Sequence, residues 1–290
     1  MTEQNGIIIK GIGGFYYVKT AEGILECRAK GIFRKRGITP AAGDCVRVEG
    51  ADGGYVVGEI EPRTNSFQRP LVANVDRLFL VVSSVDPKPN LFVLDKFTAL
   101  SVLHGVRPIL LLTKTDIERA EALRSIYTHA GFEVYDVHDA AQAAAVRALA
   151  AQPGLSVFTG NSGVGKSTFL NALLPALSLE TGETSKKLGR GRHTTRAVEL
   201  YACGAGYVAD TPGFSALDFE RGERIPKETL ETLFPEFGPY LGKCRFSGCS
   251  HTVEKGCAVL SARAAGDIEP TRFESYCALY AQASEQKDWD

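Results

Sequence analysis

The chain has 290 residues, with 33 Lys and Arg against 34 Asp and Glu, 44% hydrophobic residues and seven cysteines. At roughly 100–200 residues per domain, this length accommodates two or three domains, and the composition excludes disorder as the main state. No apolar run approaches the ~18 residues of a membrane helix, and the amino-terminal MTEQNGIIIKG lacks the basic-then-apolar order of a secretory signal. A cytoplasmic protein with no membrane partner is expected. Nothing in the sequence signals oligomerisation, so a monomer is expected too.

In chain order, short apolar segments come first: Ile7–Lys10, Phe15–Thr20, Ile24–Arg28, Asp44–Val48 and Tyr55–Ile60, punctuated by Gly11–Gly14 and Asp52–Gly54. This rhythm predicts a small all-β barrel over residues 1–70, either an OB-fold or an SH3-like barrel. Arg28, Lys30, Arg34, Lys35 and Arg36 form a basic run read as a solvated loop. From residue 71 strand and helix patterns alternate, the mark of a parallel α/β sheet. Strands are predicted at Arg77–Ser83, Pro108–Thr113, Glu133–Val137, Ser156–Thr159 and Gly206–Ala209, and helices at Leu91–Leu103, Ile117–Ala130 and Ala140–Ala150. After residue 217 the chain turns acidic and then cysteine-rich, ending in a helix predicted over Arg272–Ala283.

Gly160-Asn161-Ser162-Gly163-Val164-Gly165-Lys166-Ser167 is a complete G-x-x-x-x-G-K-S phosphate loop between a predicted strand and a helix opening at Thr168. Its glycines let backbone N–H groups converge on phosphates, Lys166 reaches the β/γ-phosphates, and Ser167 is a Mg²⁺ ligand. Thr113-Lys114-Thr115-Asp116 ends another strand. The Asp116 carboxylate can accept from guanine N1–H and N2–H, which adenine does not offer, and the Lys114 stem can lie across the base. The same residues can also cap the next helix. Asp210-Thr211-Pro212-Gly213 supplies an Asp for the Mg²⁺ shell and a Gly N–H for the γ-phosphate. The basic segment with Lys186, Lys187, Arg190, Arg192 and Arg196 reads as a switch in which Thr194 or Thr195 meets Mg²⁺, or as a plain exposed loop. Ordinary GTPases place the guanine box last; here it precedes the phosphate loop, a circular permutation. An ATPase is the rival that Asp116 argues against.

Cys244, Cys249, His251 and Cys257 form C-x4-C-x-H-x5-C. Three thiolates and one imidazole match a closed, structural tetrahedral zinc site, one per monomer. Cys277 is read as a buried helix residue. The metal is expected to supply much of the fold of a segment with a thin apolar core.

With these motifs in hand, the sequence resembles the ribosome small-subunit-dependent GTPase A family (RsgA, YjeQ or YloQ). The resemblance rests on Gly160–Ser167, Thr113–Asp116, Gly191-Arg192-His193-Thr194-Thr195, Asp210-Thr211-Pro212-Gly213-Phe214-Ser215 and the Cys/His cluster. It implies an OB-fold RNA-binding domain at 1–70, a circularly permuted α/β P-loop GTPase domain at 71–217 and a mainly α zinc-binding domain at 218–290. It further implies binding of the small ribosomal subunit and 16S rRNA, GTP hydrolysis stimulated by the subunit, and a role in late subunit maturation. An RNA-binding assembly factor with a non-catalytic nucleotide switch is the alternative. Two departures stand out. Thr113 replaces the usual Asn, and a hydroxyl reproduces only part of an amide's bonding. Asp136-Val137-His138-Asp139 occupies the place of the Ser-Ala box that backs guanine. Phe214 stands where many GTPases orient water with Gln, and the family points to His193 for that task; a phosphate or rRNA contact is the competing role for His193.

Split along these boundaries, residues 1–70 carry ten bases and eight acids, 71–217 fourteen and thirteen, and 218–290 nine and thirteen. The near-neutral whole is locally polarised, with positive charge concentrated at Arg28–Arg36 and Lys186–Arg196 as expected rRNA contacts.

Overall fold

The structure, a computed structural model, describes residues 3–51, 53–68, 70–175, 198–210 and 224–285. The first five strands are β1 (Glu3–Ile12), β2 (Phe15–Thr20), β3 (Ile24–Ala29), β4 (Cys45–Ala51) and β5 (Gly54–Ile60), with the short helix α1 (Gly31–Lys35) between β3 and β4. They run in the order β1-β2-β3-β5-β4, and β4 closes back on β1. A closed five-stranded barrel with β3 and β5 parallel and a helix before β4 is the OB-fold, which decides against the SH3-like alternative. Ile8, Val18, Cys27, Phe33, Val46, Val48 and Val57 fill it. The basic run read as a loop is partly helical, because Phe33 plugs the barrel and leaves Arg34, Lys35 and Arg36 outside.

A hairpin of β6 (Ser66–Gln68) and β7 (Leu71–Ala73) follows, and then the central sheet: β8 (Val75–Ser83), β9 (Arg107–Thr113), β10 (Glu133–Asp136), β11 (Leu155–Thr159), β12 (Glu199–Cys203) and β13 (Gly206–Asp210). Its order is β10-β9-β8-β11-β13-β12, parallel except for the β12–β13 pair. From β8 the chain works outward in one direction and from β11 in the other, so the crevice between their carboxyl ends is the topological switch point where such sheets bind ligands. Neither β12 nor the β6–β7 hairpin is visible as a pattern in the sequence. Helices α2 (Leu91–Leu103) and α4 (Ala140–Ala150) match expectation, capped by Asn90 and Asp139. Helix α3 (Glu121–His129) starts later than expected: the amides of Ile117 (3.0 Å) and Glu118 (3.3 Å) donate to the Lys114 carbonyl and close a separate turn before the helix begins. Helix α5 (Lys166–Leu173) opens at the phosphate loop.

The carboxyl-terminal part is mainly helical: 3-10 turns at Leu230–Leu233 and Pro235–Tyr240, α6 (Ala258–Ala265) and α7 (Pro270–Glu285). Its core is not thin. Leu230, Leu233, Phe234, Phe237, Val259, Phe273 and Tyr276 join the α2 side of the central sheet in one continuous cluster. Through that cluster runs Arg272, fully buried. It donates from Nη1 to Asp95 Oδ1 (2.8 Å) and Thr98 Oγ1 (3.1 Å) on α2, and from Nε to Glu236 Oε1 (2.8 Å). The Tyr127 hydroxyl of α3 donates to the same Asp95 oxygen (2.7 Å), and the guanidinium lies 4.6 Å from the Phe234 ring centroid. Burial would lower the Arg272 pKa, but Glu236 and Asp95 outweigh it and the shift is upward. The two carboxylates therefore hold the cation charged in an apolar surround.

Removing one partner of a buried ion network strands the others. Arg272→Met is expected to cost about 3–5 kcal/mol of stability in chemical denaturation. Adding Asp95→Asn and Glu236→Gln to that variant should recover part of the loss, because no buried charge then remains unpaired.

Candidate nucleotide site and metal centre

The phosphate loop leaves β11 and turns into α5. Gly160 presses against β8: a Cβ there would lie 2.5 Å from the Val81 carbonyl oxygen. Gly165 caps α5 at φ +92°, a left-handed conformation that an L side chain resists. Both glycines are thus demanded by backbone geometry. Asn161, Ser162 and Gly163 are exposed, Val164 is buried, and Ser167 and Thr168 sit in the first turn of α5. Lys166 Nζ forms an ion pair with Asp210 at the end of β13, two partly buried charges held in contact. Register ties them to the barrel: Asp210 faces Glu199 on β12, and Glu199 pairs with Lys10 on β1 (2.8 Å).

The Thr113–Asp116 box follows β9 at the same sheet edge. Thr113 is buried, and its hydroxyl donates to the Val164 carbonyl (2.6 Å), so it ties the box to the phosphate loop. The shorter hydroxyl donor in place of Asn therefore still has a structural partner. Lys114 Nζ donates to the Asp86 carbonyl, which stretches its aliphatic stem across this end of the sheet. Thr115 Oγ1 donates to Asp136 Oδ1 (2.6 Å). Asp116 caps no helix; its carboxylate lies 3.2 Å from His138 Nε2, with both side chains about half exposed. Of the sites expected from sequence, His193, Thr194, Thr195 and Gly213 lie outside the described residues.

Cys244, Cys249, His251 and Cys257 converge, with one ligand atom from each and all four within 4.8 Å of one another. Zn–S bonds of about 2.3 Å and Zn–N bonds of about 2.0–2.1 Å at tetrahedral angles would separate two sulfurs by about 3.8 Å and a sulfur from a nitrogen by about 3.5 Å. The structure has Cys244 Sγ and Cys257 Sγ 3.8 Å apart, and His251 Nδ1 at 3.5 and 3.4 Å from them. The cluster fits a tetrahedral metal centre. Burial pushes the Cys249 thiol up to about 12 and raises that of Cys257, so a cation among them is what makes thiolates accessible. The amides of Ala258 (3.3 Å) and Leu260 (3.4 Å), at the start of α6, donate to Cys244 Sγ and Cys257 Sγ. Glu231, in the first 3-10 turn, takes the other imidazole nitrogen: Oε2 lies 2.7 Å from His251 Nε2. That contact fixes the tautomer with Nδ1 toward the sulfurs. Sequence reasoning missed Glu231, because nothing local relates it to a histidine twenty residues on.

A permuted parallel sheet carrying a phosphate loop and a guanine-type carboxylate box on one edge defines a circularly permuted P-loop GTPase, a GTP hydrolase. Residues 60–220 match the RsgA GTPase family model, and residues 5–56 match the RsgA N-terminal domain model. The chain is 41% identical over 286 residues to the small ribosomal subunit biogenesis GTPase RsgA of Ruminiclostridium cellulolyticum, covering 96% of this chain and 93% of that one. It is 42% identical to the protein of the same name from Geobacillus thermodenitrificans, with 97% and 98% covered. The crystal structure of YloQ, described as a circularly permuted GTPase, superposes with a TM-score of 0.77 at 34% identity, covering 100% and 98%. That of YjeQ from Thermotoga maritima superposes at 0.80 and 28%, covering 99% and 100%. The chain belongs to the RsgA GTPase family.

Loss of a partner that orients a metal-bound histidine typically costs 10–100-fold in metal affinity. Glu231→Ala is expected to weaken the binding of added Zn²⁺ by about that factor in a competition titration against a chromogenic chelator.

Proposed function

We propose that this GTPase acts late in maturation of the small ribosomal subunit, binding the subunit and its 16S rRNA and hydrolysing GTP to GDP and phosphate faster when bound there. The observation that carries this reading is the meeting, on one sheet edge, of the phosphate loop and the Thr113–Asp116 box, in a chain whose relatives are named for small-subunit biogenesis. A cytoplasmic monomer follows as the working form; among the described residues no helix is long and apolar enough to cross a membrane. We divide the chain at 1–70, 71–217 and 218–290, with the β6–β7 hairpin bridging the first boundary.

In this reading Gly160, Asn161, Ser162, Gly163, Val164, Gly165, Lys166, Ser167 and Thr168 wrap the phosphates, and Thr113, Lys114, Thr115 and Asp116 take the guanine. Ser167, Asp210 and one of Thr194 or Thr195 hold Mg²⁺, which neutralises charge developing on the phosphates, and Gly213 approaches the γ-phosphate. With nucleotide bound, Lys166, which pairs with Asp210 in this structure, would face the phosphate oxygens, and Asp210 would be available to the Mg²⁺ shell. Cys244, Cys249, His251 and Cys257 hold one structural Zn²⁺. His193 orients the attacking water, a role that Phe214 cannot fill.

Two surfaces support an RNA partner. On the barrel, Arg28 lies over the Phe15 ring (4.9 Å), and Arg34, Lys35 and Arg36 are exposed on the same domain. On the metal loop, Arg245 lies over Phe246 (5.4 Å), which is 53% exposed, and Lys255 neighbours Gly256, whose carbonyl accepts from Arg245 N–H (2.9 Å). Base stacking on an aromatic flanked by cations suits single-stranded nucleic acid. The acidic carboxyl-terminal domain thus still gathers positive charge where the metal folds its loop.

Multiple-turnover phosphate release tests the reading, with GTP or ATP and with small subunits, large subunits or neither. Stimulation by small subunits alone, with GTP alone, is expected. Equal rates in all arms would remove the proposal, and tight small-subunit binding without stimulated release would favour the non-catalytic switch. His193→Ala should lose the stimulated turnover while retaining subunit binding; unchanged turnover would end its catalytic assignment.

A further inference from the structure

We propose that His138, in the loop where a Ser-Ala box is missing, positions the Asp116 carboxylate for guanine. The inference rests on the reading of Asp116 as the base-recognition carboxylate.

The geometry begins with a loop that has little freedom. After β10, the Val137 amide donates to the Leu112 carbonyl (3.0 Å), so the loop at 136–139 starts against the end of β9, one residue before the Thr113–Asp116 box. Asp136 Oδ1 accepts from both the Thr115 hydroxyl (2.6 Å) and the His138 amide (2.9 Å). The Asp136 amide donates to Gln142 Oε1 (2.9 Å), itself 3.4 Å from Arg124 Nη2 of α3. Asp139 then caps α4 by accepting from the Gln142 amide (2.9 Å). The backbone of His138 is therefore held at both flanks, and its ring is delivered to Asp116, with Nε2 3.2 Å from Oδ1.

An ionised carboxylate has about four acceptor positions on its two oxygens. Guanine N1–H and N2–H would use one on each oxygen. The His138 ring touches Oδ1 alone and leaves acceptor positions for both. Asp116 is 57% exposed, so without that contact its side chain is free to rotate and must be ordered each time a base binds. An exposed pair of this kind contributes little to folding stability. Its effect falls on base recognition. The contact reaches only the base-reading carboxylate, so a nucleotide without guanine's donors gains nothing from it. His138 is accordingly a positioning residue that sets the guanine-over-adenine ratio.

The test is the dissociation constant of the full-length protein for GDP and for ADP, by calorimetric titration. His138→Ala is expected to weaken GDP binding about three- to tenfold, the cost of ordering one exposed side chain on binding, with ADP unchanged. His138→Gln, whose amide nitrogen can reach the position of Nε2, should restore most of the ratio. Asp116→Asn is the control on the underlying reading and should abolish the preference for GDP. If Asp116→Asn keeps that preference, the base-recognition reading itself fails. If it loses the preference while His138→Ala leaves the ratio unchanged, the reading stands and the role of His138 is overturned. Equal weakening of GDP and ADP by His138→Ala, or failure of His138→Gln to rescue, would also overturn it.

Discussion

The buried guanidinium of Arg272 is the constraint on which the arrangement of this molecule turns. A cation removed from water among Phe234, Phe132 and Tyr127 is tolerable only with its acceptors in place, and these come from different parts of the chain. Asp95 and Thr98 lie on α2, and Glu236 lies in the turn beside the metal loop. Satisfying one side chain therefore fixes the carboxyl-terminal helices onto the face of the GTPase sheet. Phe237 and Tyr276 then complete the apolar layer, and the Tyr276 hydroxyl donates to the Ser250 carbonyl next to the metal ligand His251 (2.8 Å).

The same helix carries the constraint toward the nucleotide. The amino-terminal end of α2, with Pro89, Asn90 and Val93, borders a cleft whose other wall is Thr159, Gly160, Asn161 and Val164 of the phosphate loop. On the far side of the sheet order, β12 joins β13 to the barrel, and Asp210, Glu199 and Lys10 follow one another across three strands. The nucleotide site thus sits between two attachments. One is a buried charge network to the metal domain; the other is a strand pairing to the OB barrel.

Much of the site was legible in the sequence because its chemistry is local. The phosphate loop needs glycines at fixed offsets, and their reasons, the close approach to Val81 and the left-handed cap at Gly165, operate within one turn of chain. The metal ligands lie within fourteen residues of one another. What escaped sequence reading joins distant segments. His138 was readable only as the residue where a Ser-Ala box was missing; Glu231 and Arg272 carry no motif at all. The basic run at Arg28–Arg36 read as a loop because its helix is only five residues long and is anchored by Phe33 alone.

Sequence by itself determined the class of chemistry: the residue types and spacings of a phosphate loop, a guanine-type carboxylate box and a set of soft-metal donors, and the permuted order in which they occur. These depend on covalent neighbours and on backbone conformations that glycine or a strand end dictates. The tertiary structure decided how the parts are joined: which barrel the first five strands close into, that the carboxyl-terminal segment shares the core of α2, and that Glu231 meets His251 and His138 meets Asp116. Those outcomes depend on burial and on hydrogen-bond partners twenty to nearly two hundred residues apart, as with His251 and Glu231 or Arg272 and Asp95. Contacts at that range are selected by packing in three dimensions and leave no periodic trace along the chain.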